Sequence, residues 1–157
     1  MPDWIAHILI ALIIVEVFKI RKKSLVLLGA LLPDFLVKLE LLGTFLPVDK
    51  YSILWVLNPL HTPIGMALFS LLLLPFFKQE KKKTYGLLSI GWASHLIADM
   101  TNRHVLLGQN MLLFPFYWGN IEFGIVWPAD YYLLLLPLVL IYIGVLLRKR
   151  IKLKPGN

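Results

Sequence analysis

The chain has 157 residues, 59% of them hydrophobic and only 16% charged, and it contains no cysteine. A soluble domain runs at about 45–50% apolar and about 25% charged, and one of this size has no interior large enough to hide such an excess. The hydrophobicity excludes disorder and the lack of cysteine excludes disulfide and thiolate-zinc scaffolds, which leaves an integral membrane protein.

A helix needs about 20 apolar residues to cross the hydrocarbon. Spans are expected at about 4–20, 25–46, 53–77, 84–100 and 131–147. The first is slightly short and carries His7 and Glu16. It has Asp3 where a cleavable signal has basic residues, so it is expected to stay in the mature protein. The second is broken by Pro33-Asp34 and by Lys38 and Glu40, the third is the longest, the fourth is short, and the fifth has no internal charge. The stretch at about 108–127 is apolar and aromatic but rich in Pro, Gly and Asn. It reads as a re-entrant or interfacial segment. The expected fold class is therefore all-α, a single polytopic transmembrane helical bundle over residues 1–157.

The net charge of +7 sits in clusters: Arg21-Lys22-Lys23, Lys78 with Lys81-Lys82-Lys83, and Arg148-Lys149-Arg150 with Lys152 and Lys154. Each cluster punctuates a hydrophobic run, as cytoplasmic loops do. A nucleic-acid surface would gather its cations on one folded face, so no nucleic-acid partner is expected. With the N-terminus outside and the C-terminus cytoplasmic, 13 of the 16 Lys and Arg lie at the inner side, the exceptions being Lys38, Lys50 and Arg103. Asp3, Asp34, Glu40, Asp49, Asp99, Glu122 and Asp130 fall in the outer half, which suits a cation. Trp4, Trp55, Trp92, Trp118 and Trp127 fit interfacial belts.

Ionisable residues inside spans are costly and point to function. His95 and Asp99 stand at i, i+4 on one helix face. They suit a shared divalent ion, and equally a hydrogen bond that satisfies two buried polar groups. On the expected topology His7, Asp34 and His61 reach similar depths in the outer half. Four helices thus bring ligand-type residues together. Imidazoles and carboxylates suit Zn, Mn, Fe or Mg, with Zn favoured by the histidines. Thr62, Asn58 and Asn102 are candidate donors to the ligands, although Thr or Asn beside Pro is also a common cap or turn. Arg103 is a candidate phosphate contact. Glu16, out of phase with His7, is expected to face the basic inner loop.

The segments MPDWIAHILIA, GALLPDF, LHTPIG, SHLIADMT and GQNMLLFPF occur in that order from residue 1 to about 116. Together they resemble the small membrane-bound metal-dependent hydrolases of bacteria and archaea, which are themselves similar in ligand order to zinc-dependent phospholipase C. The resemblance implies metal ligands at His7, Asp34, His61, His95 and Asp99, with His104 at the place of a further histidine. Phe35 and Leu36 follow Asp34 where family members often carry a second acid, Val56-Leu57 stands where many carry a His-Arg pair, and Leu60 stands before His61 where Thr is common. The loss of the acid and of the His-Arg pair counts against a second or third ion and leaves the first, so one or two ions are expected. Asp34 is then the carboxylate that orients or deprotonates a water. The expected function is metal-dependent hydrolysis of a phosphoester in or near a lipid headgroup, with membrane lipids as partners. The alternatives are a divalent-ion carrier or sensor, and a non-enzymatic membrane scaffold.

Overall fold

The apolar runs form helices. The computed structural model describes residues 4–38, 57–103, 111–127, 130 and 132–153, and among these there are five α-helices and no strand. They are α1 (Trp4–Val17), α2 (Lys23–Val37), α3 (Pro63–Leu73), α4 (Lys81–Met100) and α5 (Tyr132–Leu153). Short 3-10 turns, Asn58–His61 and Leu74–Phe76, flank α3.

Local chemistry sets the ends of these helices. Past α1 the chain reverses through Lys19, whose φ of 52° is left-handed. The Ile20 N–H bonds the Val15 carbonyl at 2.9 Å and the Lys19 N–H the Glu16 carbonyl at 3.4 Å, the bonding pattern of a Schellman cap. Ile20 then folds back onto the apolar cluster of Ala11, Val15, Leu25, Val26, Ala30 and Leu87. At the start of α3, Pro63 occupies the first turn, where its missing N–H costs nothing. Thr62 caps that end: its Oγ1 accepts the Gly65 N–H at 3.1 Å.

The contact between α2 and α4 is the most extensive in the bundle, and α5 lies against α1. Two glycines let α2 and α4 meet backbone to backbone. A Cβ on Gly29 would stand 2.3 Å from the Leu88 carbonyl oxygen, and one on Gly91 would stand 2.1 Å from that of Val26. Small residues at a crossing permit such approach. Arg21 and Lys23 of the first basic cluster and Arg148 and Lys149 of the last gather at one end of the bundle. There Glu16 accepts from Lys23 Nζ, and from Lys149 Nζ at 2.7 Å. The carboxylate holds the Lys23 ammonium above its ordinary pKa. Glu16 therefore faces the basic end, as its phase along α1 suggested.

The distribution of polarity is inverted relative to a water-soluble core. His7, Asp34, His95, Asp99 and Asn102 are buried, while Leu68, Leu72, Phe76, Ile97, Leu136 and Leu140 are more than half exposed. Tyr132–Ile151 is long and apolar enough to cross a membrane, and none of it is buried. The other helices are not. The 14 residues of α1 rise about 21 Å, against a hydrocarbon core about 30 Å thick. The 20 residues of α4 begin with three lysines. Within the described part of the expected third span, a 3-10 turn at Asn58–His61 precedes the helix that begins at Pro63. The last runs on to Leu153, taking Arg148-Lys149-Arg150 into the helix. Residues 39–56 and 108–110, parts of the expected second and third spans and of the interfacial segment, lie outside the described residues, as do Trp55 and Tyr131.

Residues 111–127 form turns and extended chain laid across the end of α4. The Phe123 N–H bonds the Met100 carbonyl at 2.6 Å, and those of Ile125 and Val126 bond the Thr101 carbonyl at 2.8 and 3.0 Å. The segment thereby satisfies carbonyls that a helix end leaves without partners.

Candidate metal centre

Four elements deliver five buried side chains to the end of the bundle opposite the basic clusters. His7 comes from the first turns of α1, Asp34 from late α2, His61 from the turn before α3, and His95 and Asp99 from late α4. Pro33, inside α2, removes the N–H that would bond the Gly29 carbonyl one residue before Asp34 is presented. Thr62 fixes the backbone just after His61. Its hydroxyl donates to the Pro59 carbonyl at 2.6 Å while accepting from Gly65, so its one proton serves the turn rather than a ligand.

The separations among the donor atoms are short and alike. His7 Nε2 lies 3.5 Å from Asp99 Oδ1 and 4.0 Å from Asp34 Oδ2. His95 Nε2 lies 3.1 Å from Asp99 Oδ2 and 3.8 Å from Asp34 Oδ1. His61 Nε2 lies 3.2 Å from Asp99 Oδ2 and 2.9 Å from His95 Nε2. One donor atom from each of His7, Asp34, His95 and Asp99 falls within 4.8 Å of every other. Two ligands about 2.1 Å from a tetrahedral ion stand about 3.4 Å apart. This group could hold a metal ion, and His61 adjoins it.

Hydrogen bonding among these five side chains is confined to the 2.9 Å contact of His61 Nε2 with His95 Nε2. Neither oxygen of Asp34 or Asp99 has a hydrogen-bond partner among the described residues, and neither nitrogen of His7 has one. Both carboxylates are fully buried. A buried carboxylate left unneutralised costs several kcal/mol; the neighbouring imidazoles offset that only when protonated, and one divalent cation neutralises two carboxylates. The His7 and His95 rings stack with centroids 3.9 Å apart. His95 Nδ1 lies 2.7 Å from the Ala30 carbonyl oxygen. A carbonyl only accepts, so Nδ1 carries the proton and the Nε2 lone pair faces the cluster. This is how ligating histidines are commonly oriented.

The remaining candidates fall elsewhere. Asn102 is buried and its amide has no hydrogen-bond partner among the described residues. Its N–H reaches the Asp99 carbonyl at 3.1 Å, so it directly follows the last turn of α4. Asn58 opens the 3-10 turn that ends at His61. Arg103 is at the surface, where its Nε donates to the Gly124 carbonyl at 2.8 Å and its guanidinium lies 4.7 Å from the centre of the Trp127 ring. Lys38 stands over Trp4 in the same way, 4.1 Å from the ring centre. His104 lies outside the described residues.

Sequence reasoning missed the Ala30 carbonyl and the Gly29–Gly91 contact. A backbone oxygen has no sequence signal. The small residues Gly29-Ala30 and Gly91 were the available clue to the close crossing.

The chain matches no protein-family model, no curated protein and no solved structure.

Proposed function

We propose that the chain is a multi-pass membrane protein crossing at the five expected segments, about 4–20, 25–46, 53–77, 84–100 and 131–147, of which α1 to α5 are the helical parts described, with its N-terminus outside and its C-terminus cytoplasmic. We propose further that it is a metal-dependent hydrolase of a phosphoester in or near a lipid headgroup. The ligands would be His7, Asp34, His61, His95 and Asp99, and the ion zinc, with Mn, Fe or Mg as the other metals this donor set admits. One observation carries the reading: two fully buried carboxylates, none of whose four oxygens has a hydrogen-bond partner among the described residues, lie among three imidazoles. The inverted polarity of the surface supports the membrane placement. The family resemblance of the five ordered motifs supports the hydrolase class.

A divalent ion held by these residues would supply Lewis acidity to a phosphoryl oxygen and would lower the pKa of a coordinated water toward ~7. The chain's own residues divide the rest of the work. Asp34 has the longest separations from the imidazoles, 3.8 and 4.0 Å, and neither of its oxygens has a hydrogen-bond partner among the described residues. It can therefore orient a water and accept its proton. The Ala30 carbonyl holds the His95 ring in register. The 111–127 segment, with Leu113, Phe116, Tyr117 and Trp118 about half exposed or more, forms an apolar lip. A lipid headgroup can enter past it while the tails stay in the bilayer.

The deciding measurement is metal content of the purified chain with and without His95→Ala, paired with hydrolysis of phospholipids, lipid phosphates and nucleotides before and after chelation. Stoichiometric metal and chelator-sensitive turnover are expected. Bound metal without hydrolysis of any member of the panel would favour a carrier or sensor. Absence of metal from both proteins would remove the centre altogether.

A further inference from the structure

At the basic end of the bundle, about 13 Å along α1 from His7, lies a groove of about 710 Å³ between the end of α1, the start of α2 and α5. Its charged lining consists of Lys19, Arg21, Lys23, Arg148, Lys149 and Glu16. Glu16 spends both oxygens on Lys23 and Lys149. Among the described residues no acid pairs with Lys19, Arg21 or Arg148. Five cations against one carboxylate leave a strong positive potential. Val15, Val17, Ile20 and Val145 supply apolar wall in the same groove, and Phe18 and Leu147, next to lining residues in the chain, are exposed.

We propose that this groove binds the headgroup of an anionic phospholipid from the leaflet on that side. Three surplus cations converge on a space that is open to solvent and walled by hydrocarbon. A lipid phosphate fits both features, and a free phosphate fits only the first. Basic recesses between membrane helices are general sites for anionic headgroups. The Glu16 clasp organises the recess by tying α2 and α5 to α1, so the cations that meet the lipid are Lys19, Arg21 and Arg148. The inference rests on the membrane placement proposed above and is independent of the metal chemistry at the other end.

The test uses the full chain in detergent. Its melting temperature is followed as phosphatidylglycerol, phosphatidylcholine or inorganic phosphate is added. Saturable stabilisation by phosphatidylglycerol alone is expected. The double variant Lys19→Gln, Arg148→Gln leaves the Glu16 clasp intact, and its apparent affinity for phosphatidylglycerol should fall about 25-fold, roughly fivefold per cation. The control Lys78→Gln, Lys82→Gln removes equal charge outside the groove and should bind as the parent does. Metal content should be the same in all three proteins, so loss of the lipid effect is read separately from the metal centre. Equal stabilisation by phosphatidylcholine, an equal effect of inorganic phosphate, or undiminished binding by the groove variant would each overturn the proposal.

Discussion

His95 donates its Nδ1–H to the Ala30 carbonyl oxygen, 2.7 Å away across the α2–α4 contact. That one bond fixes which nitrogen faces Asp99 and binds the orientation of the ring to the packing of two helices. Residues that orient ligands are commonly worth about 10- to 100-fold in metal affinity, and loss of the ligand itself costs at least as much. His95→Ala should therefore lower metal affinity by about 100-fold or more. A chelator competition that found unchanged affinity would remove His95 from the centre.

Gly91 gives a test of the scaffold that leaves every ligand in place. A Cβ there would meet the Val26 carbonyl oxygen at 2.1 Å and the Ala30 nitrogen at 2.7 Å, both backbone atoms that cannot swing aside. Gly91→Ala must push α2 away from α4, at a cost of about 1–3 kcal/mol or more, as overpacking does. The expected result is a lower melting temperature together with weaker metal binding, because Asp34 and Ala30 ride on α2. A variant of unchanged stability would contradict the close crossing.

Asp34→Asn separates holding the ion from handling the proton. Four other candidate ligands remain in this variant. Turnover should fall by about 10²-fold or more if the carboxylate serves as general base, with metal content measured on the same sample. Full metal and little turnover is the expected pair of results. Unchanged turnover would take Asp34 out of the mechanism.

The topology can be read with single cysteines, since the native chain has none. A cysteine at Lys82, beside the start of α4, should be shielded from a membrane-impermeant reagent in intact cells and labelled after lysis. Labelling from outside would reverse the orientation.

The candidate centre was legible because its residues are expensive where they stand. An imidazole or carboxylate within an apolar run needs a reason, and His7, Asp34, His61, His95 and Asp99 share one. Thr62 shows the opposite case: a hydroxyl beside a proline is equally a ligand-side donor or a cap, and only the Pro59 and Gly65 bonds decide for the cap. Helix limits were less legible. Hydropathy does not register that Pro63 starts α3, nor that a basic run such as Arg148-Lys149-Arg150 continues α5. Glu16 was readable in its direction but not in its partners, because Lys149 is 133 positions away.

The five side chains come from positions 7 to 99, and each of the four elements adds one that the others lack. During synthesis the first three elements can be complete while the cage has only three of its walls. It closes when the final turn of α4 emerges and brings Asp99 beside His61. Any ion held there would be enclosed only once about two-thirds of the chain has been made, and a product truncated before α4 would carry two histidines and an aspartate with no means of enclosing a guest.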